Sequence, residues 1–328
     1  MKWEKKAIIL RVVTAIVALF GLLVSSGFAA EDPDKFPTRP ITMIVQWAAG
    51  GSSDLTARKL AELGGNMLGQ RIVVENKLGG GGVVGTAVVS KAAPDGYTIG
   101  AITSSSITTI PHLRAVPYNP KEDFSWLMQY CNITFIFTVK AESSYKTFKE
   151  FVEEARRNPG KLNYSSPGPM SSTHIFMEQL FASEKVKVNH VPVGGGAEVV
   201  PQLLGGHLDG AIVTETLPLL KAGKFRGLAI NAQKRIDLFP EVPTFNELGY
   251  RRFIPTWYGL YTPRGVHPVI FKKLYDAFKK GYEDPSFKDL LARLYLIPVF
   301  NDSESFSKIV LTDYESQARD LKELGLVK

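Results

Sequence analysis

Short runs of branched apolar residues alternate along this chain with segments whose apolar positions recur at helical spacing. Ile41 to Val45 and Arg71 to Glu75 are runs of the first kind. Leu55, Leu60, Leu63 and Met67 follow the first run, and Val83, Val84, Ala87 and Val88 follow the second, each group able to share one helix face. A strand that must pass through a helix before the next strand reaches its neighbour by a crossover. The pattern therefore predicts an α/β fold, a parallel sheet covered by helices.

The alternation persists. Tyr97 to Ile102 and Phe135 to Val139 read as strands, and Thr147 to Arg157 as a helix ended by Asn158, Pro159 and Gly160. Leu162 to Ser165, Val188 to Val191, Leu208 to Val213 and Arg226 to Ile230 are further short strands. Helical stretches at Ser171 to Phe181 and Ala197 to Leu204 fall between them. A Pro-rich stretch, Phe239 to Pro255, leads to an aromatic strand, Trp257 to Tyr261. Helices are expected at Pro268 to Tyr282 and Ser303 to Leu324, without strands of their own, packing back on the first domain.

The first thirty residues are read apart. Lys2, Lys5, Lys6 and Arg11 make a basic head, Val12 to Val24 an apolar run, and Ser25 to Ala30 a small-residue exit, the pattern of a cleaved export signal. The apolar run is shorter than the ~20 residues that span a bilayer, although an uncleaved anchor has much the same composition. Removing this segment lowers the formal charge from +7 to +4. So mild a surplus, with no dense basic run, excludes nucleic acid as the expected partner. Cys131 is the single cysteine, so intrachain disulfides and cysteine metal clusters are excluded, and its neighbours suit a buried small residue. The remaining length of about 300 residues favours two domains.

The junction after the first strand reads "WAAGGSSDLTAR", Trp47 to Arg58. In open α/β sheets ligands lie beyond the carboxyl ends of strands, where the next helix begins. Glycines there let backbone N–H groups approach a ligand, and the helix start carries partial positive charge, so an anion can be held without Arg or Lys. Three more junctions share this character: "TSSSITT" from Thr103, "YSSPGPMSSTH" from Tyr164 and "PVGGGAE" from Pro192. Four small, polar strand ends converging on one crevice suit a small polar ligand. Asp54 and Ser171 to Thr173 serve equally as helix caps, and Trp47, Phe135 and Trp257 could wall a pocket or fill a core.

Cofactor and catalytic motifs fail on their context. "GGGVVG", Gly80 to Gly85, matches a dinucleotide fingerprint by letter, but the following strand ends in Thr103 to Ser106 without the acid that holds the ribose. No nucleotide or other cofactor is expected. There is no G-x-S-x-G elbow, and His112, His174, His190, His207 and His267 show no metal-ligand spacing, so neither catalytic residues nor metal ligands are assigned.

Taken in order, "PITMIVQWAAGGSSD", "IVVENKLGGGGVVGTAVVSKAAPDGYTI", "VPYNPKEDF", "NPGKLNYSSPG", "STH", "LLGGHLDGAI", "LKAGKFRGLAI" and "WYGLYTPRGV" resemble the extracytoplasmic substrate-binding proteins of tripartite tricarboxylate transporters, the Bug family. The resemblance runs from about Phe36 to the C-terminus. It implies a type II-like periplasmic-binding-protein fold, two lobes each with a central sheet flanked by helices, and a cleft between them. It implies residues 1–30 as signal peptide, 31–132 plus 259–328 as a discontinuous first lobe, and 133–258 as the second. Crossings near Asn132 to Thr134 and Pro255 to Tyr258 would form the hinge.

The implied activity is capture of a small organic carboxylate in the periplasm and its delivery to integral membrane transporter subunits, with a monomer expected and no enzyme chemistry. The ligand-binding set is Trp47, Ala49, Gly50, Gly51, Ser52, Ser53 and Asp54 on the first loop, with Thr103, Ser104 and Ser105 on the second. Ser165, Ser166, Gly168, Ser171, Thr173, Gly194, Gly195, Thr214, Glu215 and Trp257 complete it from the other lobe and the return strand.

The sequence also departs from the family. Members commonly read P-Y-K-G-G where Pro192, Val193, Gly194 and Gly195 stand, removing an aromatic hydroxyl and a cation. Pro167 and Pro169 replace a Gly-Asn-Gly-like turn, and the familiar aspartate after Asp209 gives way to Thr214, Glu215 and Thr216. Loss of the cation argues against a densely charged tricarboxylate, leaving a mono- or dicarboxylate, aromatic or aliphatic. A ligand-sensing module and an exported enzyme of unknown chemistry are the rival readings.

Overall fold

The computed structural model describes residues 32–193, 195–250, 254, 256–323 and 327, so the proposed export signal lies outside the described residues. Residues 32–36 form a separate turn, in which Lys35 N–H donates to Asp32 O at 2.8 Å. The body of the protein is Pro37–Lys328.

From its start the body runs β1 (Ile41–Val45), α1 (Ser52–Leu68), β2 (Ile72–Asn76), a 3-10 turn (Gly80–Gly82), α2 (Val83–Ser90), β3 (Thr98–Thr103), α3 (Ser104–Thr108), α4 (Ile110–Leu113) and β4 (Phe124–Asn132). It then passes through β5 (Phe135–Lys140), α5 (Phe148–Arg157), β6 (Asn163–Ser165), α6 (Ser172–Ser183), β7 (Asn189–His190), α7 (Gly196–Leu204), β8 (Gly210–Ala211), a second 3-10 turn (Thr214–Thr216), α8 (Leu217–Lys221) and β9 (Phe225–Asn231). The return supplies β10 (Trp257–Pro263), α9 (Pro268–Glu283), α10 (Pro285–Arg293), β11 (Ile297–Asn301) and α11 (Ser303–Glu323).

Two sheets result, in the orders β11-β4-β10-β3-β1-β2 and β7-β6-β8-β5-β9. Neither is purely parallel, contrary to the simplest reading of the sequence. β1 pairs in parallel with β2 and β3, but β10 runs antiparallel to both β3 and β4. In the second sheet β6 pairs in parallel with β7 and β8, whereas β5 is antiparallel to β8 and β9. The cause is the same in both. β5 and β10 enter their sheets directly from the opposite lobe, so no crossover helix dictates their direction.

β10 lies between β3 and β4 and is buried along its whole length, which accounts for its near-continuous aromatic and apolar reading. Its Gly259 leaves room for α11: a Cβ there would stand 2.3 Å from Phe306 Cζ. Trp257 packs on the same ring, with centroids 4.9 Å apart, and its indole N–H donates to Asp313 Oδ2 at 2.8 Å. In the second lobe Phe137 meets Phe148 and Phe151 nearly edge-on, at 5.3 and 4.9 Å. α5 starts with a capping box, Glu150 N–H donating to Thr147 Oγ1 and Thr147 N–H to Glu150 Oε2.

The C-terminal segment differs from expectation. α9 does pack on α1, where a Cβ on Gly64 would stand 2.8 Å from Phe278 Cε1. The segment also contributes a strand, β11, which pairs with β4 and closes one edge of the first sheet. Pro298 inside "IPVFN" hid it, since proline argues against a central strand but is tolerated in an edge strand such as this one.

The lobes are joined by two segments lying side by side. Ile133 N–H donates to Thr256 O at 2.8 Å and Thr256 Oγ1 donates to Ile133 O at 2.7 Å. Asn231 clamps the return segment, donating from Nδ2 to Ile254 O at 3.0 Å and accepting from Ile254 N–H at 3.2 Å. Pro255, part of the expected return crossing, lies outside the described residues.

Candidate functional site

A cavity of about 70 Å³ opens where the carboxyl ends of both sheets face each other. The first lobe lines it with Trp47, Ala48, Ala49, Gly51, Ser52 and Ser53 after β1, and with Thr103, Ser104 and Ser105 after β3. The second lobe adds Pro167 and Ser171 to Thr173 after β6, Gly195 to Glu198 after β7, and Thr214 and Glu215 after β8. Ile133, Phe135, Thr256 and Tyr258 form its floor at the crossings.

The first loop is shaped by a residue that stays out of the cavity. Asp54 is buried and accepts from Gly50 N–H, Arg58 Nε and Asn76 Nδ2, each at 2.9 Å. Burial alone would push its carboxyl up, but Arg58, the Gly50 amide and Asn76 together hold it below the usual aspartate value. With Gly50 at φ 83 pinned back onto Asp54, the chain turns so that the start of α1 faces the cavity. The first N–H groups of a helix have no partner within it, so this end offers donors and positive potential.

Gln46, at the end of β1, ties the second loop to the first. Its Nε2 donates to Ser106 Oγ at 3.0 Å, and its Oε1 accepts from Thr103 N–H at 3.3 Å. Trp47 lies beside this link, its indole N–H donating to Thr103 Oγ1 at 3.2 Å. The edge of the Trp47 ring reaches across the cleft: a Cβ on Gly168 would stand 3.3 Å from Cζ3.

The serine-rich loop divides its hydroxyls between lining and scaffold. Ser165 Oγ donates to Val191 O at 2.8 Å, and Ser166 Oγ lies 2.9 Å from His190 Nε2. Both serines are fully buried and neither lines the cavity. Ser171 caps α6, its Oγ accepting from His174 N–H at 3.2 Å, while Ser172 and Thr173 present the first turn of that helix to the cavity. His174 Nδ1 in turn accepts from Met170 N–H at 3.0 Å. His174 and His190 stack with ring centroids 4.0 Å apart, and burial pushes both below the usual histidine value.

The lobes touch directly. Ser52 N–H donates to Glu215 Oε1 at 2.9 Å, and Ser52 Oγ lies 2.9 Å from both Thr214 Oγ1 and Tyr258 OH. Thr214 Oγ1 donates to Glu215 Oε2 at 3.1 Å. Each hydroxyl has one proton to give, so Ser52 donates to Thr214 and Tyr258 donates to Ser52. Burial first, and the Glu215 charge second, push the Tyr258 phenol well up, which keeps that donor protonated.

Of the ligand-binding residues expected from sequence, Trp47, Ala49, Gly51, Ser52, Ser53, Thr103, Ser104, Ser105, Ser171, Thr173, Gly195, Thr214 and Glu215 meet at the cavity. Gly50, Asp54, Ser165, Ser166 and Gly168 support it from behind, and Gly194 lies outside the described residues. Trp257 turns away into the first-lobe core, and its neighbour Tyr258 takes the place beside the cavity, because successive residues of a strand face opposite sides. Ala48, Pro167, Ser172, Gly196, Ala197 and Glu198 lie within the junctions expected to converge but outside the assigned binding set, and Ile133, Thr256 and Tyr258 were not anticipated. Ala48, Ser172 and Gly196 adjoin assigned residues inside the same junctions, so taking each junction whole would have included them. Among the described residues no group of three His, Cys, Asp or Glu is placed to hold a metal ion. No helix among them is long and apolar enough to cross a membrane.

A family described as the tripartite tricarboxylate transporter family receptor matches residues 56–326. This chain belongs to that family. It is 35% identical over 317 residues to the UPF0065 protein in the gbd 5' region of Cupriavidus necator, covering 96% of each chain. The solved periplasmic binding protein BugD superposes with a TM-score of 0.81 at 29% identity, covering 89% of this chain and all of that one. MatC of Rhodopseudomonas palustris, solved with bound malate, gives a TM-score of 0.78 at 26% identity, covering 87% and 99%. The tripartite tricarboxylate receptors thus supply the two-lobed architecture in which this cavity lies. This receptor's cavity carries two acids, Glu198 and Glu215, and no Arg, Lys or His among its described lining residues.

Proposed function

We propose that the protein is a periplasmic solute-binding receptor that closes its two lobes on a small organic carboxylate and hands it to the integral membrane subunits of a tripartite transporter. One observation carries this reading: the starts of α1 in one lobe and α6 in the other face a single cavity, ringed by hydroxyls and backbone. Helix starts and neutral donors hold an anion without a basic side chain. MatC, a relative of the same architecture, was solved with malate, a compound of this class.

The lobes are divided at the paired crossings, with 31–132 plus 257–328 in one and 133–256 in the other, two residues earlier than the expected boundary at 258 because Trp257 and Tyr258 already pair with β4, and residues 1–30 direct export. Ligand contacts come from the residues assigned from sequence that line the cavity, joined by Ser172 and Tyr258. Contacts from both lobes favour the closed arrangement, and only a ligand that binds the closed form better can shift the population toward it.

Thermal unfolding in the presence of organic acids tests the reading. A ligand at 100 times its dissociation constant adds about 2.7 kcal/mol to the folded state. Gly51→Arg places a long side chain at the mouth of α1, facing Glu215 Oε1, which a Cβ would already approach to 3.4 Å. The variant is expected to fold and to lose the shift; a folded Gly51→Arg protein with full affinity defeats the assignment.

A further inference from the structure

One of the N–H groups at the start of α1, that of Ser52, is taken by the protein itself. Glu215, from the second lobe, puts Oε1 2.9 Å from Ser52 N and accepts the Thr214 hydroxyl on Oε2 at 3.1 Å. Its other side rests on the start of α7, where a Cβ on Gly196 would stand 2.0 Å from Oε2 and 2.4 Å from Cδ. The carboxylate is thus bracketed by two helix starts, one from each lobe, and glycine at 196 is what leaves room for it.

This arrangement has a consequence for the ligand. Among the described lining residues the charged groups are Glu215 and Glu198, and the lining holds no Arg, Lys or His. A solute with a carboxylate at each end would bring one of them against Glu215, a like-charge contact inside a small cavity whose described lining has no basic side chain to offset it. A solute with one carboxylate leaves that charge to the hydroxyls of Thr103 to Ser105 and the first turn of α6, and meets Glu215 with its other end. Two carboxylate oxygens provide about four acceptor positions, and two are used by Ser52 and Thr214, so acceptors remain for a donor group of the ligand.

We propose, resting on the receptor reading above, that Glu215 is the selectivity residue of this site, standing in for one carboxylate of a diacid and selecting a zwitterionic amino carboxylate whose ammonium group pairs with it. Selectivity here comes from a built-in repulsion as much as from an attraction.

The test is calorimetric titration of the full mature chain with matched acids: 3-aminopropanoate against succinate, and 5-aminopentanoate against adipate, with pentanoate, uncharged at its far end, as the control. The native protein is expected to prefer the amino member of each pair by about tenfold or more, and Glu215→Gln to erase that preference. Gly196→Ala, which drives a methyl group into the space of Oε2 without touching the charge, is expected to move the ratio in the same direction. A native protein that takes succinate or adipate as tightly as its amino partner overturns the proposal, as does an unchanged ratio in either folded variant. If none of the five acids nor any other organic acid binds, the receptor reading itself falls, and this inference with it.

Discussion

A Cβ built on Gly195 would stand 2.8 Å from the Cβ of Ala48, so the loops after β7 and β1 meet face to face across the cleft. Gly195 also sits at φ 155, where side chains are strained. Gly195→Val is expected to prop the lobes apart. If the closed population falls to about a tenth, apparent ligand affinity weakens about tenfold. Titration alongside small-angle scattering checks this, the variant showing the larger radius of gyration with ligand present.

Asp54 bears on stability through the loop it holds. Asp54→Asn keeps the shape but loses the charge that Arg58 and the Gly50 amide meet, and should cost about 1–3 kcal/mol in a denaturant titration at neutral pH. The sign with pH follows from its lowered pKa: the contribution is present above the ordinary 3.8 and is lost as pH falls through the still lower folded value. The native and Asp54→Asn stabilities should therefore converge at strongly acid pH.

His190 acts in a different window. Burial first, and the adjacent His174 second, push it down to about 4 from an ordinary 6.5. Between those values the unfolded chain takes up a proton that the folded one refuses, so stability drops as pH falls from 6.5 toward 4. Melting temperatures across that range should fall less steeply in His190→Gln than in the native protein.

Trp47 should report the ligand. Beyond residue 31 the tryptophans are Trp47, Trp126 and Trp257, and the latter two are buried in the first-lobe core. Binding is expected to change the emission of the native protein, and Trp47→Phe to remove most of that change while calorimetric binding persists. An undiminished signal in the variant would place the reporting ring elsewhere.

The strand-to-helix junctions were legible because glycine and serine at such positions have a backbone reason to be there, and "WAAGGSSD", "TSSSITT" and "MSSTH" all reach the cavity. Their division of labour was not. Ser165 and Ser172 look alike in sequence, and only the path of β7 makes Val191 O available to the one and not the other. Trp257 and Tyr258 could not be separated because β10 is buried on both faces, which erases the alternation that marks an inward side. The direction of β5 and β10 depends on which lobe each strand comes from, a relation between segments far apart in the sequence. Glu215 reaches Ser52 across 163 positions, and no local pattern signals such a contact.

The strand order also sets a timetable for synthesis. The second sheet is drawn from one stretch, residues 135 to 231, and can assemble as soon as that stretch has emerged. The first sheet lacks an interior strand until residues 257 to 263 arrive and an edge until 297 to 301 follow. A chain emerging from its N-terminus would hold the facing edges of β3 and β4 unpaired until β10 follows, and the outer edge of β4 until β11 does. Such a delay would leave the first lobe, and not the second, as the part of a newly made chain for a chaperone to shield.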